Sequence, residues 1–162
     1  MSKKVVEFTL PDSGVTVRIK RIGPALAKDL LRNIQQAITK PKPPMQEVLL
    51  GDEKKMEPNL SYPDYLAAMR DYNGDLGMAF IEALVKYGVD ADIDAEAVAA
   101  LREDDPDHHL PKSDLVVYVT RVALDSARDM SALQDAILGR FQPTEKAVAE
   151  AAATFPGQVQ GA

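Results

Sequence analysis

The chain has 162 residues, a net charge of −6 and no cysteine, which sizes it for one domain, or one domain with a tail, that folds without disulfides or thiolate metal sites. Its apolar runs stop at four or five residues, far short of the roughly 20 that cross a bilayer. The acidic balance, with a pI near 4.9, argues against broad nucleic-acid binding, which needs clustered Lys and Arg. A soluble intracellular protein is expected, with neither membrane nor nucleic acid as partner.

Taken in order, Val5 to Leu10 alternates apolar and polar residues, Pro11-Asp12-Ser13-Gly14 supplies a turn, and Val15, Val17 and Ile19 alternate again. That pattern predicts a hairpin with one buried face. Gly23-Pro24 breaks the strand and opens a helix to about Ile38, with Leu26, Leu30, Ile34 and Ile38 four apart. A two-stranded hairpin is not stable alone, so this helix is expected to pack on it as a β-β-α unit over 1–40. Arg18, Lys20, Arg21, Lys28, Arg32, Lys40 and Lys42 make this region locally basic; an ordinary solvated face is the expected reading.

Pro41, Pro43 and Pro44 stiffen an extended linker. Gln46 to Leu50 and Lys54 to Glu57 flank Gly51-Asp52-Glu53, which predicts a second hairpin, an exposed arm within 41–60 whose Val48 and Leu50 reach back to the body. A long central helix over 62–87 follows, with Ser61 or Tyr62 at its boundary and Pro63 in its first turn. Tyr65, Leu66, Met69, Tyr72, Leu76, Phe80, Ile81, Leu84 and Tyr87 recur at three-and-four spacing, as one helical face does. Gly74 and Gly77 mark a close helix contact or a bend, and Gly88 suits a left-handed stop.

Beyond it, Asp94 caps a short helix from Ala95 to about Arg102, and the proline-broken, charged run from Glu103 to Pro111 is a loop. Ser113 or Asp114 starts another helix through Val122, although the β-branched run Leu115 to Thr120 also reads as a strand. Ser126 or Asp129 begins the next, with Met130, Leu133, Ile137 and Phe141 on its face and Gly139 ending or weakening it. An alanine-rich helix from Pro143 to Phe155 and a tail over 156–162 complete the chain. The expected fold is thus α+β and predominantly α-helical: hairpin plus helix, a second hairpin arm, the long helix, and a C-terminal helical bundle. Residues 61–155 form the helical part, and the whole reads as one compact domain.

Catalytic chemistry is hard to place. Asp90, Asp92 and Asp94 alternate as in a calcium loop, but the Gly and Glu that loop requires are replaced by Ala95 and Leu101. His108 and His109 are adjacent and so point apart, with no spaced third histidine to complete a metal set. There is no nucleophile elbow and no glycine-rich phosphate loop. No Asp or Glu is embedded in an apolar run in a way that predicts a perturbed pKa. The reading is a non-enzyme with no cofactor and no metal, acting by contact. Its candidate partner-binding residues are Tyr65, Met69, Tyr72, Leu76, Met78 and Phe80, joined by Val48 and Leu50 of the arm. An aromatic and Met stripe at helical spacing also reads as ordinary core.

The order of elements resembles the tail assembly chaperones of long-tailed phages. The residues that carry the likeness are Pro43-Pro44, the charged arm through Gly51, Glu57-Pro58-Asn59, Pro63-Asp64-Tyr65, Gly88-Val89 and, more loosely, Pro143-Thr144-Glu145-Lys146-Ala147-Val148. The resemblance implies a protein of the infected bacterium's cytoplasm that coats the tape-measure protein and helps recruit tail-tube subunits. The alternative is a small structural component of the virion, associated with the tail or baseplate. Separately, the alanine-rich last helix offers close packing that suits either exchange between copies of this chain or a partner.

Overall fold

The computed structural model describes residues 4–140. Strands β1 (Val5–Thr9) and β2 (Thr16–Lys20) form the first hairpin, in register from Val5 opposite Lys20 to Thr9 opposite Thr16. Helix α1 (Pro24–Ala37) follows, then a second hairpin of β3 (Met45–Leu50) and β4 (Glu53–Pro58). Helix α2 (Pro63–Gly88) runs 26 residues, about 39 Å at the α-helical rise. Its exit, β5 (Val89–Asp90), pairs with β2 and widens the first sheet to the order β1-β2-β5. Helices α3 (Ala95–Glu103), α4 (Asp114–Val117) and α5 (Ala127–Leu138) make the C-terminal half. The fold is α+β and mostly helical, as the patterning predicts. The alanine-rich helix and tail expected over 143–162, with Phe141, lie outside the described residues.

Local chemistry sets most boundaries. Asp94 accepts from the Ala97 amide at 3.2 Å and caps α3. Ser113 and Ser126 do the same for α4 and α5, through the amides of Val116 and Asp129. The run Leu115 to Thr120 is helical, not a strand. From Tyr118 to Ala123 it widens into a π-helix, with the Leu124 amide donating to the Val119 carbonyl at 3.0 Å. Thr120 helps here: its hydroxyl donates to the Val116 carbonyl at 2.6 Å while accepting from Arg121 at 2.7 Å. Arg121 also pairs with Glu82 of α2 at 2.8 Å, both half-buried, so the widened turn is tied to the long helix.

The core gathers Val17 and Ile19 from β2, Ile81, Leu84 and Val85 from α2, Val117 and Val119 from the α4–π segment, and Leu133 and Ile137 from α5. Packing of α1 falls on α2, while the apolar face of the first sheet meets α2 and α5. None of residues 31–80 is buried. The chain is thus divided into a core, built from both ends of that interval, and a 31–80 excursion that leaves it and returns.

Helix α2 does not use one face throughout. At about 100° of turn per residue, Tyr65, Met69, Tyr72 and Leu76 share one stripe, and Ile81, Leu84, Val85 and Gly88 share another about 140° further round. The second stripe is buried and the first only half-buried. Tyr87, expected on the same face as Ile81 and Leu84, is exposed, with the Lys86 ammonium 5.9 Å from its ring centre.

The glycines of α2 separate the same way. Gly88 is the last helical residue and the helix is capped by extended Val89, so it is not the left-handed stop that its position suggests. A Cβ there would lie 2.9 Å from the Ile137 side chain and 3.0 Å from the Lys20 carbonyl oxygen; it is glycine because sheet and α5 press on it. Gly74 and Gly77 have open space around them, which removes the close helix contact as their explanation. Gly88→Ala is therefore expected to destabilise the fold by about 1–3 kcal/mol. Gly74→Ala and Gly77→Ala should each stabilise by about 0.5–1 kcal/mol through helix propensity alone. Urea denaturation of the three variants measures both signs.

Candidate interaction surface

The excursion begins where α1 leaves the core after Leu30, the one buried residue of that helix. Because β2 precedes α1 and pairs with β5 immediately after α2, the start of α1 and the end of α2 meet at one end of the sheet, and the packed helices run antiparallel. Helix α1 is about 21 Å long and α2 about 39 Å, so the first turns of α2 extend past the end of α1. The second hairpin sits at that far end. Its base is closed by the Asn59 amide donating to the Pro44 carbonyl at 2.7 Å. The Asn59 side chain then accepts from the Ser61 amide at 3.1 Å and turns the chain into α2.

The hairpin register sorts its side chains. A two-residue loop, Gly51-Asp52, joins Leu50 to Glu53. Gly51 takes φ +65°, the left-handed value a type II′ turn needs at its first loop position. One face carries Met45, Glu47 and Leu49 with Pro58, Met56 and Lys54; the other carries Gln46, Val48 and Leu50 with Glu57, Lys55 and Glu53. The Glu47–Lys54 pair at 3.4 Å lies on the first face and, being exposed, contributes little to stability. A hairpin of the core would have one apolar and one polar face. Here the first face is mostly apolar, and the second sets Val48 and Leu50 among Gln46, Glu53, Lys55 and Glu57; all but Val48 and Glu57 are exposed.

Met45, Leu49, Leu50, Met56, Leu60, Tyr62 and Leu66 are all 43–67% exposed. They lie along the hairpin and its junction with α2, with Met45, Leu49 and Met56 sharing one hairpin face and Leu50 on the other, and a concentration of exposed apolar side chains is what marks interaction sites. Of the residues singled out from sequence, Leu50 is one of these and Val48 is half-buried. Tyr65, Met69, Tyr72 and Leu76 are half-buried on the outer part of α2. Met78 and Phe80 sit apart from these, packed against the rim of the core. Met45, Leu49, Met56, Leu60, Tyr62 and Leu66 are not among the contact residues the sequence singles out, although Leu66 falls on the expected apolar face of α2 and Tyr62 at its boundary. For Met45 and Leu49 the signal is MQEVLL, whose apolar residues fall on both parities of a strand.

Several charged residues elsewhere have structural partners. Arg18 pairs with Asp90 at 2.9 Å and with Asp92 at 3.3 Å. Its guanidinium pKa is raised, chiefly by the hydrogen bond to Asp90 and then by that to Asp92. Asp105 accepts from the amides of His109 and Leu110 at 3.0 and 2.8 Å. The Leu110 bond is the largest influence holding its carboxyl below the ordinary value, and that of His109 adds to it against partial desolvation. Among the described residues no group of three or more His, Asp or Glu is arranged to hold a metal ion, and no helix is long and apolar enough to cross a membrane.

One carboxylate contradicts the expectation that none is embedded in apolar surroundings. Asp129 is fully buried on the stripe that continues as Leu133 and Ile137. It accepts from the amides of Asp12 at 2.7 Å, Ser13 at 3.1 Å and Asp125 at 3.1 Å. Burial pushes its pKa up. The amides of Asp12, Asp125 and Ser13 and the Ser13 hydroxyl outweigh that and hold it below the ordinary carboxylate value. Asp12 in turn accepts from the Ser126 hydroxyl and from Arg128. This network fastens the β1–β2 turn to the start of α5 and acts as a structural clasp. Comparison with known family models, with curated proteins and with solved structures returns no match for this chain.

Proposed function

We propose that this chain is an assembly factor that works by contact, a phage tail assembly chaperone whose 31–80 excursion grips the tape-measure protein and helps bring tail-tube subunits to it. The observation that carries the reading is the interval from 31 to 80 with no buried residue and seven large apolar side chains in the open. Sequence of this kind contributes little to its own fold and is costly to leave wet at roughly 25 cal/mol per Å² of apolar surface. Methionine at positions 45 and 56 adds the adaptability of surfaces that accept several partners. The order of elements and the motifs flanking the arm add the phage-tail context.

Co-expression with the tape-measure protein of the same phage tests it. A soluble complex of the two that co-purifies is expected. An insoluble client with this chain left free in the supernatant would contradict the reading. The exposed arm equally suits a small tail or baseplate component, and mass spectrometry of purified particles separates the two: stoichiometric presence selects the virion component, absence the chaperone.

A further inference from the structure

We infer that β3 pairs edge to edge with β3 of a second copy, antiparallel about a two-fold axis at Val48, so that two hairpins join into one four-stranded sheet.

Among the described residues neither outer edge of the hairpin is paired, and the two edges differ. A two-residue loop makes Leu50 and Glu53 a hydrogen-bonded pair, so Val48–Lys55 and Gln46–Glu57 are hydrogen-bonded too. The backbone groups left facing outward are those of Met45, Glu47 and Leu49 on β3, and of Lys54, Met56 and Pro58 on β4. The β4 edge is guarded in the usual ways, by Pro58, which has no N–H, and by the charges of Lys54 and Lys55. The β3 edge, MQEVLL, has no proline, no lysine and one charge. A two-stranded hairpin standing free in water is marginal, and further strands are what stabilise it.

Charge and symmetry choose the occupant and the register. Both copies show the same face in a two-fold antiparallel pair, so the axis passes through a residue of β3. Centred on Glu47, the pairing sets two carboxylates directly opposite each other, which is unfavourable. Centred on Val48, it sets Glu47 opposite Leu49 of the second copy and Gln46 opposite Leu50, with no like charges facing across the new seam. Glu47 and Leu49 then supply hydrogen-bonded pairs, and Val48 meets its own symmetry mate in a non-hydrogen-bonded pair, with Cα atoms about 4.5 Å apart. This arrangement concerns the protein alone and stands independently of what client it serves.

The native chain has no cysteine, so a single introduced thiol reports only on contact between copies. In the full chain, Val48→Cys is expected to form a disulfide-linked dimer under mild oxidation, since about 4.5 Å suits the bond. Leu66→Cys, exposed at the root of the arm, should stay monomeric. Sedimentation equilibrium up to about 100 µM, the weak end of interface affinities, should show reversible dimerisation. Leu49→Glu places a glutamate opposite Glu47 twice per dimer and should raise the dissociation constant by about 10- to 30-fold. Leu49→Lys, equally polar, faces Glu47 with the opposite charge and should dimerise as the wild type does. A wild-type protein monomeric throughout that range, equal crosslinking at Leu66 and Val48, or equal loss from both Leu49 variants would each overturn the pairing.

Discussion

Replacing Asp129 with alanine is expected to lower the melting temperature by about 10 °C or more, the class of effect seen when a buried polar network loses its centre. Three backbone amides, those of Asp12, Ser13 and Asp125, point at this one carboxylate. Alanine removes the fully buried carboxylate and leaves all three amides without their acceptor, and a donor left unsatisfied in a buried site is costlier than a hydrogen bond is helpful. Asparagine is no rescue, because each carboxylate oxygen already accepts and an amide NH₂ in either position faces a donor. The folded pKa of Asp129 is depressed, so its contribution is complete above the unfolded-chain value near 3.9 and is lost as pH falls through the lower folded value. Stability of the wild type should therefore fall with acid in that window, and the fall should be shallower in Asp129→Asn. Asp105 titrates in the same direction, so the difference between wild type and variant isolates Asp129. Thermal melts followed by circular dichroism from pH 7 to pH 3 provide the comparison.

Leu84→Ala should cost about 2–5 kcal/mol, the range for a leucine removed from a packed core. Leu84 is fully buried where α2 crosses the sheet and the C-terminal helices. The same change at Leu66, on the same helix but in the open, should fall within about 0.5 kcal/mol of the wild type. Periodicity alone assigns both leucines to one apolar face, so equal losses would restore that simpler picture and remove the division of α2 into a buried and an outlying half. Urea midpoints of the two variants decide it.

What could be read from sequence followed from signals that are local. Caps at Asp94, Ser113 and Ser126, turns at Gly51 and Gly139, and the alternation of the first hairpin each depend on residues within a few positions, and each is where the sequence predicts. What could not be read depends on contacts between distant parts of the chain. Strand β5 is two residues long and exists because β2 is there to pair with it. The π-helical turn from Tyr118 has no sequence signature, and β-branched residues there favour strand when judged alone. Gly88 looks like a helix stop until Ile137 and Lys20 are placed against it. Asp129 looks like a helix-start residue until the Asp12-Ser13 turn arrives from the other end of the chain. For the candidate surface, the sequence singles out Val48 and Leu50 but has them reaching back to the body; Leu50 is instead exposed, and its exposure, like that of Met45, Leu49 and Met56, follows from the hairpin standing clear of the core, which no local pattern encodes.

The central claim, that the hairpin arm is carried by the fold without supporting it, is tested most directly by cutting the arm off. Pro44 and Asn59 already meet, the amide of one donating to the carbonyl of the other at 2.7 Å, so about three Gly and Ser residues can replace 45–58 without displacing either helix. The shortened chain is predicted to melt within about 3 °C of the wild type. A loss of about 10 °C or more, or failure to fold, would show that the hairpin belongs to the core and would contradict the account.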